Sequence, residues 1–218
     1  MCGTTPHWVS KPHRATQTGW LLTTSSGESG LIQVHDSVLK WVAEVLTPQH
    51  VDGRDVVEIG SYNVNGTVRP IVEALSPTSY LGLDIEAGPG VDVVCRLDDA
   101  HRFGSFGLVV CCEVLEHVVE WKPSVVALVD LVAPGGYLLV TTRSEGFPFH
   151  PHPVDTWRYT TGALADAVQR LGLVVQQAAA DPQVPGVFLL ARKPAARVEL
   201  LDFVHGVTAM SQETAGAA

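Results

Sequence analysis

Two short stretches hold most of the side chains able to do chemistry. Cys112-Glu113-Val114-Leu115-Glu116-His117-Val118 places two carboxylates and an imidazole close together. Phe147-Pro148-Phe149-His150-Pro151-His152-Pro153-Val154-Asp155-Thr156-Trp157-Arg158-Tyr159 carries two imidazoles, a carboxylate and a guanidinium on a segment stiffened by Pro148, Pro151 and Pro153. An imidazole near its unperturbed pKa of about 6.5 accepts a hydroxyl proton at neutral pH. His150 and His152 are therefore candidate bases, with Asp155 orienting one of them or holding a substrate hydroxyl. His117 is a third candidate base, or else a side chain packed against the helix that it opens. The proline-rich stretch has three readings: the wall of an acceptor site, a stiff connector, or a divalent-metal site built from two His and one Asp. Arg143, Trp157 and Arg158 stand where they can meet an acceptor; in a purely structural loop, Trp157 and Arg158 are core and cap.

A second series of acidic residues is spaced along the first half of the chain. Val56-Val57-Glu58-Ile59-Gly60-Ser61 reads as a strand and a tight turn, followed through Tyr62, Asn63, Val64, Asn65 and Gly66 by a helix start whose free backbone N–H groups can meet an anion. A dinucleotide fingerprint wants glycine at the positions held by Tyr62 and Asn65, so a nicotinamide or flavin dinucleotide is disfavoured. Glu58 suits a ligand carrying a cationic amine. Asp84 ends a second strand, where a carboxylate accepts hydrogen bonds from both hydroxyls of a ribose or else caps the strand end. Asp99, between Asp98 and Ala100, is placed to take the exocyclic amine of adenine.

The elements that position these residues follow from hydrophobic period. Residues 1–30 show neither helical nor strand periodicity and read as a flexible leader or a lid carrying Trp8 and Trp20. Residues 31–50 hold one amphipathic helix, from Leu31 to Leu46, with Val34, Val38, Trp41, Val42 and Val45 on a stripe before Pro48. Residues 51–194 alternate strand and helix signals, the order of a parallel sheet covered on both faces. The strands expected are Val56 to Ile59, Tyr80 to Asp84, Val91 to Cys95, Leu108 to Cys112 and Tyr137 to Thr142. Between them lie a helix over Val68, Ile71, Val72 and Leu75 capped by Thr67, and another over Val125, Leu128, Val129 and Val132 opening near Pro123. A further helix, capped by Thr160 or Thr161 and stopped by Gly172, precedes two strands, Leu173 to Val175 and Val187 to Leu190. Their connection is too short for a crossover helix, so they run antiparallel. Residues 195–218 read as a frayed tail.

Composition narrows the partners. Fourteen Lys plus Arg against 23 Asp plus Glu leave a net charge of −9, the wrong sign for gripping phosphate backbones, so nucleic acid is not an expected partner. No apolar run approaches the roughly 18 residues of a membrane span, and the N-terminus lacks the order of a secretion signal. A cytoplasmic chain is expected. Cys2, Cys95, Cys111 and Cys112 form neither a disulfide framework nor a zinc spacing. Cys111 and Cys112 are expected as reduced thiols on opposite faces of one strand.

Val57-Glu58-Ile59-Gly60-Ser61, Leu83-Asp84, Asp99-Ala100, Cys112-Glu113-Val114-Leu115-Glu116-His117-Val118 and Pro134-Gly135-Gly136 occur in that order. Together they resemble the class I S-adenosylmethionine-dependent methyltransferases, over about residues 50 to 193. The resemblance implies an α/β, Rossmann-like fold: a seven-stranded, mostly parallel sheet with an antiparallel last strand and helices on both faces. It implies S-adenosyl-L-methionine as cofactor, with Glu58, Gly60 and Ser61 by the methionyl end, Asp84 by the ribose, Asp99 and Ala100 by adenine, and Glu113 near the sulfonium. One departure is Tyr62 at the usual second glycine of the cofactor loop, and another is the interval of 26 residues from Glu58 to Asp84. The nearest subgroup is associated with small-molecule and sugar-directed methylation in bacteria. The implied reaction is in-line methylation of an oxygen, less readily a nitrogen, of a small metabolite or sugar-bearing natural product, aided by a histidine base. Methyl transfer needs no metal, and none is assigned. RNA or DNA methylation and a catalytically inactive cofactor-binding module are the competing readings.

Overall fold

A computed structural model describes residues 36–64, 66–150 and 154–195. The expectations for the leader, for His152 and for the tail beyond Ala195 lie outside the described residues. The chain runs α1 (Asp36–Val45), α2 (Pro48–Val51), β1 (Asp55–Ile59), α3 (Arg69–Glu73), β2 (Ser79–Asp84) and β3 (Val93–Val94). A 3-10 turn (Leu97–Phe103) leads to β4 (Phe106–Cys112), a second (Leu115–His117) to α4 (Trp121–Leu131), and then follow β5 (Val132–Arg143), α5 (Thr161–Arg170), β6 (Val174–Ala180) and β7 (Gly186–Arg192).

The strands form one sheet in the order β3-β2-β1-β4-β5-β7-β6, parallel from β3 to β5, with β7 antiparallel to both β5 and β6. The order in which the chain adds strands reverses between β1 and β4, which stay parallel. The carboxyl ends of those two strands therefore flank the crevice at which open α/β sheets take ligands.

Strand alternation sorts the core into two faces. Val57, Ile59, Val109, Cys111, Leu138 and Val140 pack with Val125, Leu128 and Val129 of α4 and Leu164 and Val168 of α5. Val56, Leu108, Val110, Cys112 and Leu139 pack on the other face with Val38, Trp41 and Val42 of α1 and Val72 of α3. Cys111 and Cys112 thus fall on opposite faces as free, buried thiols.

Several boundaries differ from expectation, each for a local reason. β3 shrinks to two residues because the Asp92 carboxylate takes the Gly82 N–H at 2.7 Å, where a ladder carbonyl was expected. In α3 the cap position is Val68, with Thr67 one residue further out, its hydroxyl accepting from the Arg69 N–H at 3.1 Å. Val132 is not a helical residue: β5 starts there, directly after α4, and carries Pro134-Gly135-Gly136 within it. β6 extends through Gln176 and Gln177 to Ala180, an edge strand with a register shift between Val175 and Gln177 and mostly exposed side chains. The exposed Gln176 and Gln177 interrupt its apolar pattern. The Thr160 cap on α5 forms as expected, its hydroxyl accepting from the Ala163 N–H at 3.1 Å. No helix among the described residues is long and apolar enough to cross a membrane.

Candidate active site

At the end of β1 the chain turns at Gly60, whose φ is +81° and where a Cβ would stand 2.2 Å from Val114 Cγ2. Only glycine tolerates both conditions. The Gly60 and Ser61 N–H groups donate to the Leu83 carbonyl at 2.9 and 3.1 Å, which ties the turn to β2. Ser61 is buried, and its Oγ has no partner among the described residues. Asp84, at the end of β2, accepts the Tyr62 N–H on Oδ2 and the Glu86 N–H on Oδ1, both at 3.0 Å. Tyr62, which departs from the family's second glycine, is accommodated by a glycine elsewhere. A Cβ on Gly88 would lie 2.2 Å from Tyr62 Cε2, so the ring uses space that only the next loop's glycine leaves open.

Glu58 is 4% exposed on the α1 and α3 side of the sheet, its Oε2 accepting from the Tyr80 hydroxyl at 2.7 Å. Burial raises its carboxyl from 4.5 to about 7, against the pull of that hydrogen bond. Because the folded value lies above the unfolded one, the stabilising contribution is complete below pH 4.5 and is lost as pH rises through about 7. Glu58→Gln should therefore gain on wild type by up to about 3 kcal/mol between acid and neutral pH. Urea unfolding across that range checks it; parallel stability curves for the two proteins would show that Glu58 ionises as an ordinary carboxylate. Ala100 is fully buried in the first 3-10 turn, whereas Asp98 and Asp99 are exposed.

Beyond β4, Glu113 adopts φ +58°, a strained backbone for a residue with a Cβ. Its Oε1 accepts from the Thr141 hydroxyl at 2.7 Å and its Oε2 pairs with Arg143 Nη2. Arg143 is 1% exposed and lies 4.1 Å over the Phe147 ring. A residue read as an acceptor contact is thus an internal cation paired to a residue read as a cofactor contact. Glu116, which drew no separate attention in the sequence, is fully buried. Its Oε2 accepts from the Thr142 hydroxyl at 2.8 Å, while its Oε1 has no hydrogen-bond partner among the described residues. Burial raises the carboxyls of both Glu113 and Glu116.

The loop after β5 brings His150 to this place. The His117 and His150 rings stand edge to face at 4.9 Å. His117 Nδ1 bonds to the Val154 carbonyl; His150 Nδ1 lies 3.1 Å from both the Pro148 carbonyl and Asp155 Oδ2. Burial lowers the pKa of both imidazoles, and their carbonyl hydrogen bonds partly oppose it. Asp155 also accepts the His150 N–H at 2.9 Å and is held by both terminal nitrogens of Arg158, which depress its carboxyl to about 2. Arg158 reaches the Phe147 and Pro148 carbonyls as well, so its guanidinium staples the two ends of the loop. Trp157 Nε1 donates to the Val119 carbonyl at 3.3 Å, and the Thr156 and Trp157 N–H groups donate to the Glu116 carbonyl. The loop is thereby fastened to the turn after β4.

The sheet order, the antiparallel β7 and the crevice at the switch between β1 and β4 are those of the class I methyltransferase fold. The 1,6-didemethyltoxoflavin-N1-methyltransferase of Burkholderia thailandensis, solved with 1,6-didemethyltoxoflavin and S-adenosylhomocysteine, shares it at 13% identity and a TM-score of 0.59, over 72% of this chain and 78% of that one. An S-adenosylmethionine-dependent methyltransferase from Mesorhizobium loti matches at 16% identity and a TM-score of 0.58, over 72% and 98%. The magnesium protoporphyrin IX methyltransferase of Synechocystis PCC 6803, with bound S-adenosylmethionine, matches at 16% identity and a TM-score of 0.54, over 72% and 77%. No protein-family model matches the chain, and no curated protein does.

Proposed function

We propose that the chain is an S-adenosylmethionine-dependent methyltransferase that acts on an oxygen of a small metabolite or sugar-bearing natural product. One juxtaposition carries this reading. Asp84 and the Gly60 turn stand at one side of the sheet's switch point, and Glu116, His117 and His150 gather just beyond the strand at its other side.

The residues present fit the cofactor. Each Asp84 oxygen accepts one backbone N–H and keeps capacity for one ribose hydroxyl. The unpartnered Ser61 Oγ and the Gly60 backbone would hold the methionyl end, with Glu58 serving its ammonium and Asp99 with Ala100 the adenine. When bound, the cofactor supplies a methyl group on a sulfonium that is already a good leaving group.

The chain's own part is to hold the acceptor oxygen in line and take its proton. With Nδ1 of each imidazole bonded to a carbonyl, Nε2 carries the lone pair, so His117 or His150 can accept that proton. Asp155 orients His150, and His152 remains a candidate of the same loop. Arg143 and Arg158 are committed to Glu113 and Asp155, which with the net charge of −9 weighs against a phosphate backbone as acceptor. Their proposed part is to shape the acceptor wall together with Trp157.

Feeding methyl-labelled methionine to producing cells with and without the protein tests the reading by mass spectrometry. Label on the oxygen of a small hydroxylated product supports it. Label in RNA or DNA replaces it with nucleic-acid methylation, and cofactor binding without a labelled product leaves an inactive cofactor-binding module.

A further inference from the structure

The geometry points to a divalent-cation site formed by Glu116, His117 and His150, which the methyl-transfer reading neither requires nor supplies. Each of the three offers one ligand atom, and these atoms lie within 4.8 Å of one another. Adjacent ligands at about 2.1 Å from an ion stand roughly 3 Å apart, so modest side-chain rotations would close the set on a cation.

Three observations beyond proximity support a ligand set. First, both imidazoles have the supporting bonds of metal ligands: His117 Nδ1 is held by the Val154 carbonyl, and His150 Nδ1 by the Pro148 carbonyl and Asp155. Such bonds fix the ring orientation and leave Nε2 unprotonated, which is the outer-shell arrangement of histidine-bound metals. Arg158 in turn fixes Asp155, so the support is two layers deep on the His150 side. Second, two of the three candidate ligand atoms are left without a hydrogen-bond partner. Glu116 Oε1, on a fully buried carboxylate, and His150 Nε2 have no hydrogen-bond partner among the described residues. Orphaned buried polar atoms are costly, and one cation satisfies both. Third, the charge is appropriate. Arg143 is paired with Glu113, whereas Glu116 accepts from the neutral Thr142 hydroxyl through Oε2 and from a backbone N–H, and among the described residues no Lys or Arg stands within ion-pairing distance of it, Arg143 and Arg158 acting on it only from further off.

Two imidazoles and one carboxylate suit a first-row transition dication better than magnesium or calcium, which favour all-oxygen sets. Three protein ligands leave coordination positions open. If the methyl-transfer reading holds, an acceptor hydroxyl occupies one of them and its proton leaves for water more readily on the cation. The new carbon–oxygen bond then forms as the carbon–sulfur bond breaks, and the sulfonium departs as the neutral thioether. The metal then replaces the imidazole base.

Cobalt(II) titration of the metal-stripped full chain, read by visible absorption, tests the site, with S-adenosylhomocysteine affinity measured by calorimetry on the same samples. The expected result is one ion per chain carrying nitrogen-ligand absorption bands, weakened roughly 100-fold or more in both His150→Ala and Glu116→Gln, with cofactor-product affinity unchanged. His150 lies on a loop, so its variant gives an answer even where the buried Glu116 variant fails to fold. No cobalt uptake, or uptake that His150→Ala leaves intact, overturns the proposal. Product binding in that case leaves the methyltransferase reading standing, whereas cobalt binding with no product binding removes that reading and keeps the metal site.

Discussion

Arg143→Met should cost about 3–5 kcal/mol of stability in mildly alkaline solution, where the raised Glu113 carboxyl is ionised, the largest single effect expected among the site residues. The guanidinium is 1% exposed and is the only Lys or Arg in ion-pairing contact with Glu113 among the described residues. Without it, the Glu113 carboxylate stays buried with one hydroxyl partner, Thr141. Methionine fills much of the volume against Phe147, so the deficit reports the uncompensated charge more than a cavity. Two further results follow from that cause. The deficit should shrink in acid, because burial has already raised the Glu113 carboxyl and its protonation removes the charge. It should also be largely recovered in the double variant Arg143→Met, Glu113→Gln. Chemical denaturation checks all three, and a loss under about 1 kcal/mol in mildly alkaline solution would show that the pair is not the buried ion pair the structure displays.

Asp84→Ala should weaken S-adenosylhomocysteine binding by roughly 100-fold or more, since a hydrogen bond to a charged acceptor contributes about 1.5–3 kcal/mol and two ribose hydroxyls would lose theirs. The same change releases the Tyr62 and Glu86 N–H groups and so loosens the loop after β1. Asp84→Asn retains one acceptor oxygen and should fall in between. Calorimetry measures both variants, and unchanged affinity in Asp84→Ala would remove Asp84 from the site.

Most of the scaffold was legible because it follows local periodicity. The doublet Cys111-Cys112 falls on two faces simply because strand side chains alternate, and the connection from Asp181 to Pro185 is too short for anything but an antiparallel return of β7. The edge strand β6 was half hidden, since Gln176 and Gln177 interrupt its apolar pattern where nothing covers them. The positions of Gly60 and Asp84 at the ends of β1 and β2 could be read from the strand pattern alone. Side-chain pairings could not, because they join distant segments. Thr142 and Glu116 are 26 positions apart, and His117 meets the Val154 carbonyl 37 positions away. Those contacts turn Glu116 from one letter of a recognisable stretch into the centre of the polar cluster. Arg158 likewise has its anchoring contacts, which staple its own loop. Tyr62 was an unexplained departure until Gly88, in another loop, supplied its space.

Cofactor recognition at the ends of β1 and β2 is tested by calorimetric titration of S-adenosylhomocysteine into the full chain at neutral pH. The expected result is saturable binding of one molecule per chain, competed by S-adenosylmethionine and not by a nicotinamide dinucleotide. A flat titration, or competition by the dinucleotide alone, would contradict it.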